Sequence, residues 1–202
     1  MPYTIDKPVT AEIKILRSRF IATLYPVQDV AAVRSLLTEH NSQYADATHN
    51  CYAYVLGKNK ETTYYADAGE PSGTAGKPIL NELLRHDLSN VLAVVTRYFG
   101  GVKLGVKGLI EAYGAAVAEA VSLAETKELR DTVQFSIQCD YPAFEAMKHK
   151  VAEWEGEISH LAYADTVAFL LILPRIQQLP LKEFMDGLAR QNRLHYFAYE
   201  NE

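Results

Sequence analysis

From residue 131 onward the chain fits very few folds. Val133, Phe135, Ile137 and Cys139 alternate with Gln134, Ser136 and Gln138, as a strand with one wet face requires. Pro142 then suits the first turn of a helix in which Phe144, Met147, Val151 and Trp154 recur at three- and four-residue spacing. Strands follow at 157–163 and in the apolar run Val167–Leu173. A helix carrying Leu181, Phe184, Met185 and Leu188 and a last strand, LHYFAY, complete the segment. The order β-α-β-β-α-β is the split βαβ, or ferredoxin-like, arrangement.

Upstream, strand and helix signals also alternate. Residues 11–25 are rich in β-branched side chains, and Asp29–His40 puts Val30, Val33, Leu36 and Leu37 on one helical face. Strands are expected at Cys51–Leu56 and Thr62–Ala66, a helix at Pro78–His86, a buried strand at 91–99 and a long helix at about 106–125. The charged stretch KELRD at Lys127–Asp131 reads as a linker. The expectation is an α+β chain of two domains, 1–128 and 131–202.

With 49% hydrophobic and 22% charged residues, the chain is too apolar to be disordered. Its net charge of −5 argues against an overall basic field drawing it to nucleic acid. Residues 131–202 hold six basic and eleven acidic side chains, so the excess lies in that segment and residues 1–130 are neutral. Any phosphate-binding surface therefore belongs to the first domain. Cys51 and Cys139 form no CxxC motif, no signal peptide is evident and no stretch of about 20 apolar residues occurs, so a reducing cytoplasm is expected.

Two glycine-rich segments each join a strand to a helix. The first, Asp67-Ala-Gly-Glu-Pro-Ser-Gly-Thr-Ala-Gly-Lys-Pro78, contains Gly69, Glu70, Ser72, Gly73, Thr74, Gly76 and Lys77. Such a loop turns sharply or lets another molecule approach, and the following helix start offers amide donors to a phosphate. Pro71 and Pro78 exclude a Walker A motif. The second segment, Arg97 to Gly108, lacks the GxGxxG dinucleotide spacing. It gathers Arg97, Lys103 and Lys107 beside Tyr98 and Phe99, with Gly100, Gly101 and Gly105 between them, a combination suited to phosphate contact and base stacking. For any single glycine, tight turning is the simpler explanation; two such loops in one domain favour a shared surface.

Other chemistry is weaker. His49 and Cys51 share a strand face, which allows a Cys-His pair, although a small buried cysteine is commoner. Asn50 and Asp67 are polar neighbours of the loops. Asp67 and Glu70 have the oxygen chemistry for Mg²⁺, yet such carboxylates more often cap turns and helices. Nothing fixes a metal site or implies a cofactor.

ATHNCYAY at 47–54, DAGEPSGTAGKPIL at 67–80 and VVTRYFGGVKLGVKGLIEAYG at 94–114 together resemble the IMPACT/YigZ family. The resemblance implies a ribosomal-protein-like domain with a left-handed βαβ unit, followed by a ferredoxin-like domain, a pair similar to the last two domains of elongation factor G. It implies a link to translation or RNA. Eukaryotic relatives regulate translation by binding a partner of a stress-activated kinase, but they carry an extra N-terminal RWD domain for which this chain has no room, so that role is not carried over. Lys107 stands where the family has glycine, and Glu111 where it has a basic residue.

Two functions are expected candidates. One is a non-enzymatic, translation-associated protein binding RNA, the ribosome or a regulatory protein through Gly73, Gly76, Lys77, Arg97, Tyr98, Lys103 and Lys107. The other is an enzyme on a phosphorylated small molecule, with Mg²⁺ at Asp67 and Glu70 and acid-base or nucleophilic chemistry from His49 or Cys51.

Overall fold

In the computed structural model, which describes residues 2–200, the β-branched stretch near the N-terminus is a hairpin rather than one strand. After β1 (Tyr3–Ile5), β2 (Val9–Ile15) and β3 (Ser18–Pro26) pair antiparallel around Leu16 and Arg17, which adopt φ of 45° and 68°. Two positive φ values fit the strand twist of a two-residue hairpin, but here neither residue is glycine or asparagine. Then come α1 (Val30–Gln43), β4 (His49–Leu56), β5 (Thr62–Ala66), α2 (Gly76–Arg85), β6 (Val91–Tyr98), α3 (Gly105–Ser122) and β7 (Thr126–Glu128).

Five strands form one antiparallel sheet in the order β2-β3-β6-β4-β5. Because β3 and β4 both pair antiparallel with β6, they run parallel to each other, and α1 makes the crossover between them. Central β6 is buried on both faces: Val91, Ala93 and Val95 pack with α2 and α3, while Leu92 and Val94 pack with α1. This is why its sequence reads as an unbroken apolar run instead of an alternation. Asp29 caps α1, its carboxylate accepting from the Ala32 N–H at 2.7 Å.

The expected linker at 127–131 begins as structure. Lys127 and Glu128 belong to β7, which pairs with β1 in a separate two-stranded sheet. The charged composition misleads here because a three-residue strand at the surface needs backbone pairing more than buried side chains.

The chain divides into two compact units between Leu129 and Arg130. The second contains β8 (Thr132–Cys139), α4 (Tyr141–Glu153), β9 (Glu157–Tyr163), β10 (Val167–Pro174), α5 (Gln178–Arg190) and β11 (Leu194–Glu200). Its sheet order, β11-β8-β10-β9, is that of a ferredoxin-like domain, so the protein is an α+β chain of two domains. Phe135, Ile137, Phe144, Met147, Leu171, Leu181 and Met185 form its core. Each large apolar side chain so buried contributes roughly 1.5–3 kcal/mol. Asp140 caps α4 through the Ala143 N–H, with Pro142 in the first turn. Among the described residues, no helix is long and apolar enough to cross a membrane.

Candidate functional site

The first glycine-rich loop closes on itself. Asp67, just after β5, accepts hydrogen bonds from the backbone N–H groups of Gly73, Ala75 and Gly76 at 2.8, 3.0 and 2.8 Å. Burial opposes ionisation of Asp67, but these donors outweigh it and hold the carboxyl below its ordinary range. The amides expected to receive a phosphate before α2 are thus occupied by the chain's own carboxylate. Gly76 is needed for a close approach, since a Cβ there would lie 2.8 Å from the backbone of Ala66. Thr74 is buried and donates to the Pro71 carbonyl; Ser72 and Lys77 are exposed.

The same loop delivers Glu70 into a polar cluster beneath it. Its side chain, only 4% exposed, accepts from Arg97 Nη1 at 2.5 Å and from the Tyr113 hydroxyl at 2.8 Å. Arg97, 6% exposed, has its guanidinium carbon 5.4 Å from the ring centroids of both Phe20 and Phe99. Its Nη2 reaches Ser18 Oγ at 3.5 Å, and its buried Nε has no hydrogen-bond partner among the described residues. His49 Nδ1 lies 2.9 Å from the Ala68 carbonyl, which can only accept, so Nδ1 carries the proton. Nε2 lies 3.9 Å from Glu70. Gly69, at φ +93°, leaves room for that imidazole, with a Cβ position 3.1 Å from Nδ1.

This geometry sorts the expected chemistry. The Cys51 thiol is buried and donates to the Asp67 carbonyl at 2.9 Å; burial pushes its pKa up to about 12, so it is no nucleophile at neutral pH. Burial also raises the Tyr113 hydroxyl. Mg²⁺ at Asp67 and Glu70 is disfavoured because one carboxylate is committed to three amides and the other to Arg97 and Tyr113. Among the described residues no group of three or more His, Cys, Asp or Glu side chains is placed to hold a metal ion.

The two glycine-rich segments do converge, on a cleft of about 460 Å³. Thr48, His49, Glu70 and Arg97 supply its polar lining, Lys103 adds a cation, and Pro71, Phe99, Leu104, Val106 and Leu109 are apolar. Gly105 lies in the same lining and begins α3 at φ +71°, where no side chain caps the helix. Gly101 has φ +85° and open space around it. Gly100 serves packing instead: a Cβ there would meet the Arg17 carbonyl oxygen at 2.0 Å.

Other expected site residues fall outside this cleft. Tyr98 follows Arg97 on the strand and so turns to the opposite face, where its hydroxyl donates to Asp46 at 2.8 Å and Arg19 lies over its ring. Asn50 also lies away from the cleft lining, accepting from the Thr96 hydroxyl at 2.7 Å. Lys107 is exposed and 3.8 Å from Glu111 one turn along. The strand period already held the useful signal: two residues on from Arg97 comes Phe99, not Tyr98. Phe20 and Ser18 carried no local signal, and Tyr113 stood in the third motif without one for this role, since only the fold brings them to Arg97.

Known proteins match this organisation. The Impact N-terminal domain family matches residues 16–121. Over 188 residues the chain is 32% identical to IMPACT family member YigZ of Escherichia coli strain K12, covering 92% of this chain and 91% of that protein. Over 187 residues it is 34% identical to IMPACT family member YvyE of Bacillus subtilis strain 168, covering 93% and 86%. A crystal structure of a hypothetical protein matches with a TM-score of 0.67 at 31% identity, covering 99% of this chain and 98% of that one. The chain belongs to the IMPACT family.

Proposed function

We infer that this protein acts in translation as a non-enzymatic binding protein, and that the first domain contacts RNA, on or off the ribosome, through the cleft between its glycine-rich segments. The observation that carries the reading is the convergence of both segments on one cleft that combines Lys103, the uncapped start of α3 and an exposed aromatic ring. Phosphate and base chemistry can be met there together. Family membership supports the link to translation. A binding role is favoured over catalysis because the groups best suited to chemistry, Cys51, Asp67 and Glu70, are each committed to internal hydrogen bonds.

Co-sedimentation with ribosomes and RNA binding over a salt series test this. The expected result is binding whose affinity falls linearly on a log-log plot against salt, since each neutralised phosphate releases counterions. Absence of binding to both at low salt overturns it, and a salt-independent association would redirect the search to a protein partner.

A further inference from the structure

We propose that the cleft seats one unstacked nucleotide of a single-stranded RNA, with its phosphate at the amino end of α3 beside Lys103 and its base against Phe99. The proposal rests on the RNA reading above and specifies what that site recognises. α3 is 18 residues long and no side chain caps its start, so its first amide N–H groups and its partial positive charge are available to an anion. Around Gly105 nothing lies within 4 Å of where a Cβ would stand, which leaves space for phosphate oxygens against the backbone.

Arg97 adds a buried polar side chain to the same cleft. This side chain lines the cleft while 6% exposed, and it keeps an Nε without an acceptor. Glu70 neutralises one side of the guanidinium, so the cluster has an unfilled donor and no excess anionic capacity. With Glu70 and Arg97 neutralising each other, the positive potential of the cleft lies at Lys103 and the start of α3, which leaves the base to the Phe99 side.

Phe99 is 45% exposed and Val106 60% exposed, and Arg97 lies 5.4 Å from the Phe99 ring centroid, so the ring keeps an open side for a base at the site. A peptide carboxylate would satisfy the helix start but leave the ring unstacked, whereas a nucleotide uses both. The cleft volume lies within the range of about 300–1,000 Å³ usual for small-ligand sites.

The test uses the full chain and a fluorescent, 5′-phosphorylated decamer of uridine, read by anisotropy at low salt. UMP should displace the decamer at least about tenfold better than uridine or inorganic phosphate alone, because only UMP engages both parts of the site. Phe99→Ala should weaken binding about tenfold, with Phe99→Trp restoring it, as expected for loss and recovery of stacking. Val106→Asp places a carboxylate in the first turn of α3, which favours the helix while repelling phosphate. Its melting temperature should therefore hold or rise while decamer affinity drops about tenfold or more. The proposal is overturned if the decamer does not bind, if UMP competes no better than uridine, or if both variants bind like the unmodified protein. Should those failures occur while ribosome co-sedimentation persists, the nucleotide site alone is lost; failure of ribosome and RNA binding together removes the translation reading as well.

Discussion

The two domains bury their sheets in different ways. In the second, α4 and α5 cover one face, and β8 alternates buried and partly exposed side chains along its length. In the first, helices cover both faces, and β6 is buried from Val91 to Arg97. The contrast extends to polar groups. The first domain sinks Arg97, His40 and Thr96 into its interior, whereas the three histidines of the second, His149, His160 and His195, are all exposed. A sheet covered on both sides can hold a charged cluster away from water near the end of its central strand, and that is where the cleft forms.

The sharpest way to break this comparison is Glu70→Ala. It strands the Arg97 charge in the interior, and about 3–5 kcal/mol should be lost from the first domain's stability. Domain-resolved hydrogen exchange should show the loss there and leave α4 and α5 protected; a penalty below about 1 kcal/mol would mean that the cluster is not buried as described. Met147→Ala is the converse probe. It should cost about 2–5 kcal/mol, read as denaturant midpoint shifts confined to the second domain.

A pH series sharpens the difference further. Burial pushes the His40 pKa down to about 4, and the ring is held between the Tyr25 hydroxyl and Thr96 Oγ1, each at 2.8 Å. The unfolded chain takes up that proton near pH 6.5, the folded one only near pH 4. First-domain stability should therefore decline as pH falls between those values, by up to about 1.4 kcal/mol per pH unit. Comparison with His40→Asn isolates the effect, and an identical slope in the two proteins would refute the assignment. The smallest effect expected is from Asp29→Ala, about 1 kcal/mol from loss of the α1 cap, measured by thermal melting.

The same contrast decides how much the sequence reveals. In the second domain, Val133, Phe135, Ile137 and Cys139 announce their shared face because the other face is polar, so element order and core are legible together. In the first domain, an apolar strand is recognisable at 91–98, but its face assignment is hidden until topology supplies a helix for each side. That Tyr98 and Arg97 point apart is legible all the same, since neighbours on a strand face opposite ways; what topology adds is which of the two faces meets the glycine-rich loops. The hairpin at Leu16 and Arg17 is silent for another reason: its positive φ values fall on residues that carry no turn signature. Asp67 is visible as a loop carboxylate, yet the three amides it accepts lie six to nine residues on, and only the folded loop says which they are. The convergence of the two segments is likewise a product of strand order, not of either motif.

The pairing of β1 with β7 has a mechanical consequence. Tyr3, Thr4 and Ile5 lie opposite Glu128, Lys127 and Thr126, the Leu129 N–H bonds to the Pro2 carbonyl at 2.8 Å, and Lys127 pairs with Asp6. Tension entering at Arg130 is therefore borne first by this short clasp, before it reaches α3 and the sheet behind it. Anything that peels away Pro2–Ile5 lengthens the tether between the domains by releasing Thr126–Leu129, while the glycine-rich cleft is left behind a second line of resistance.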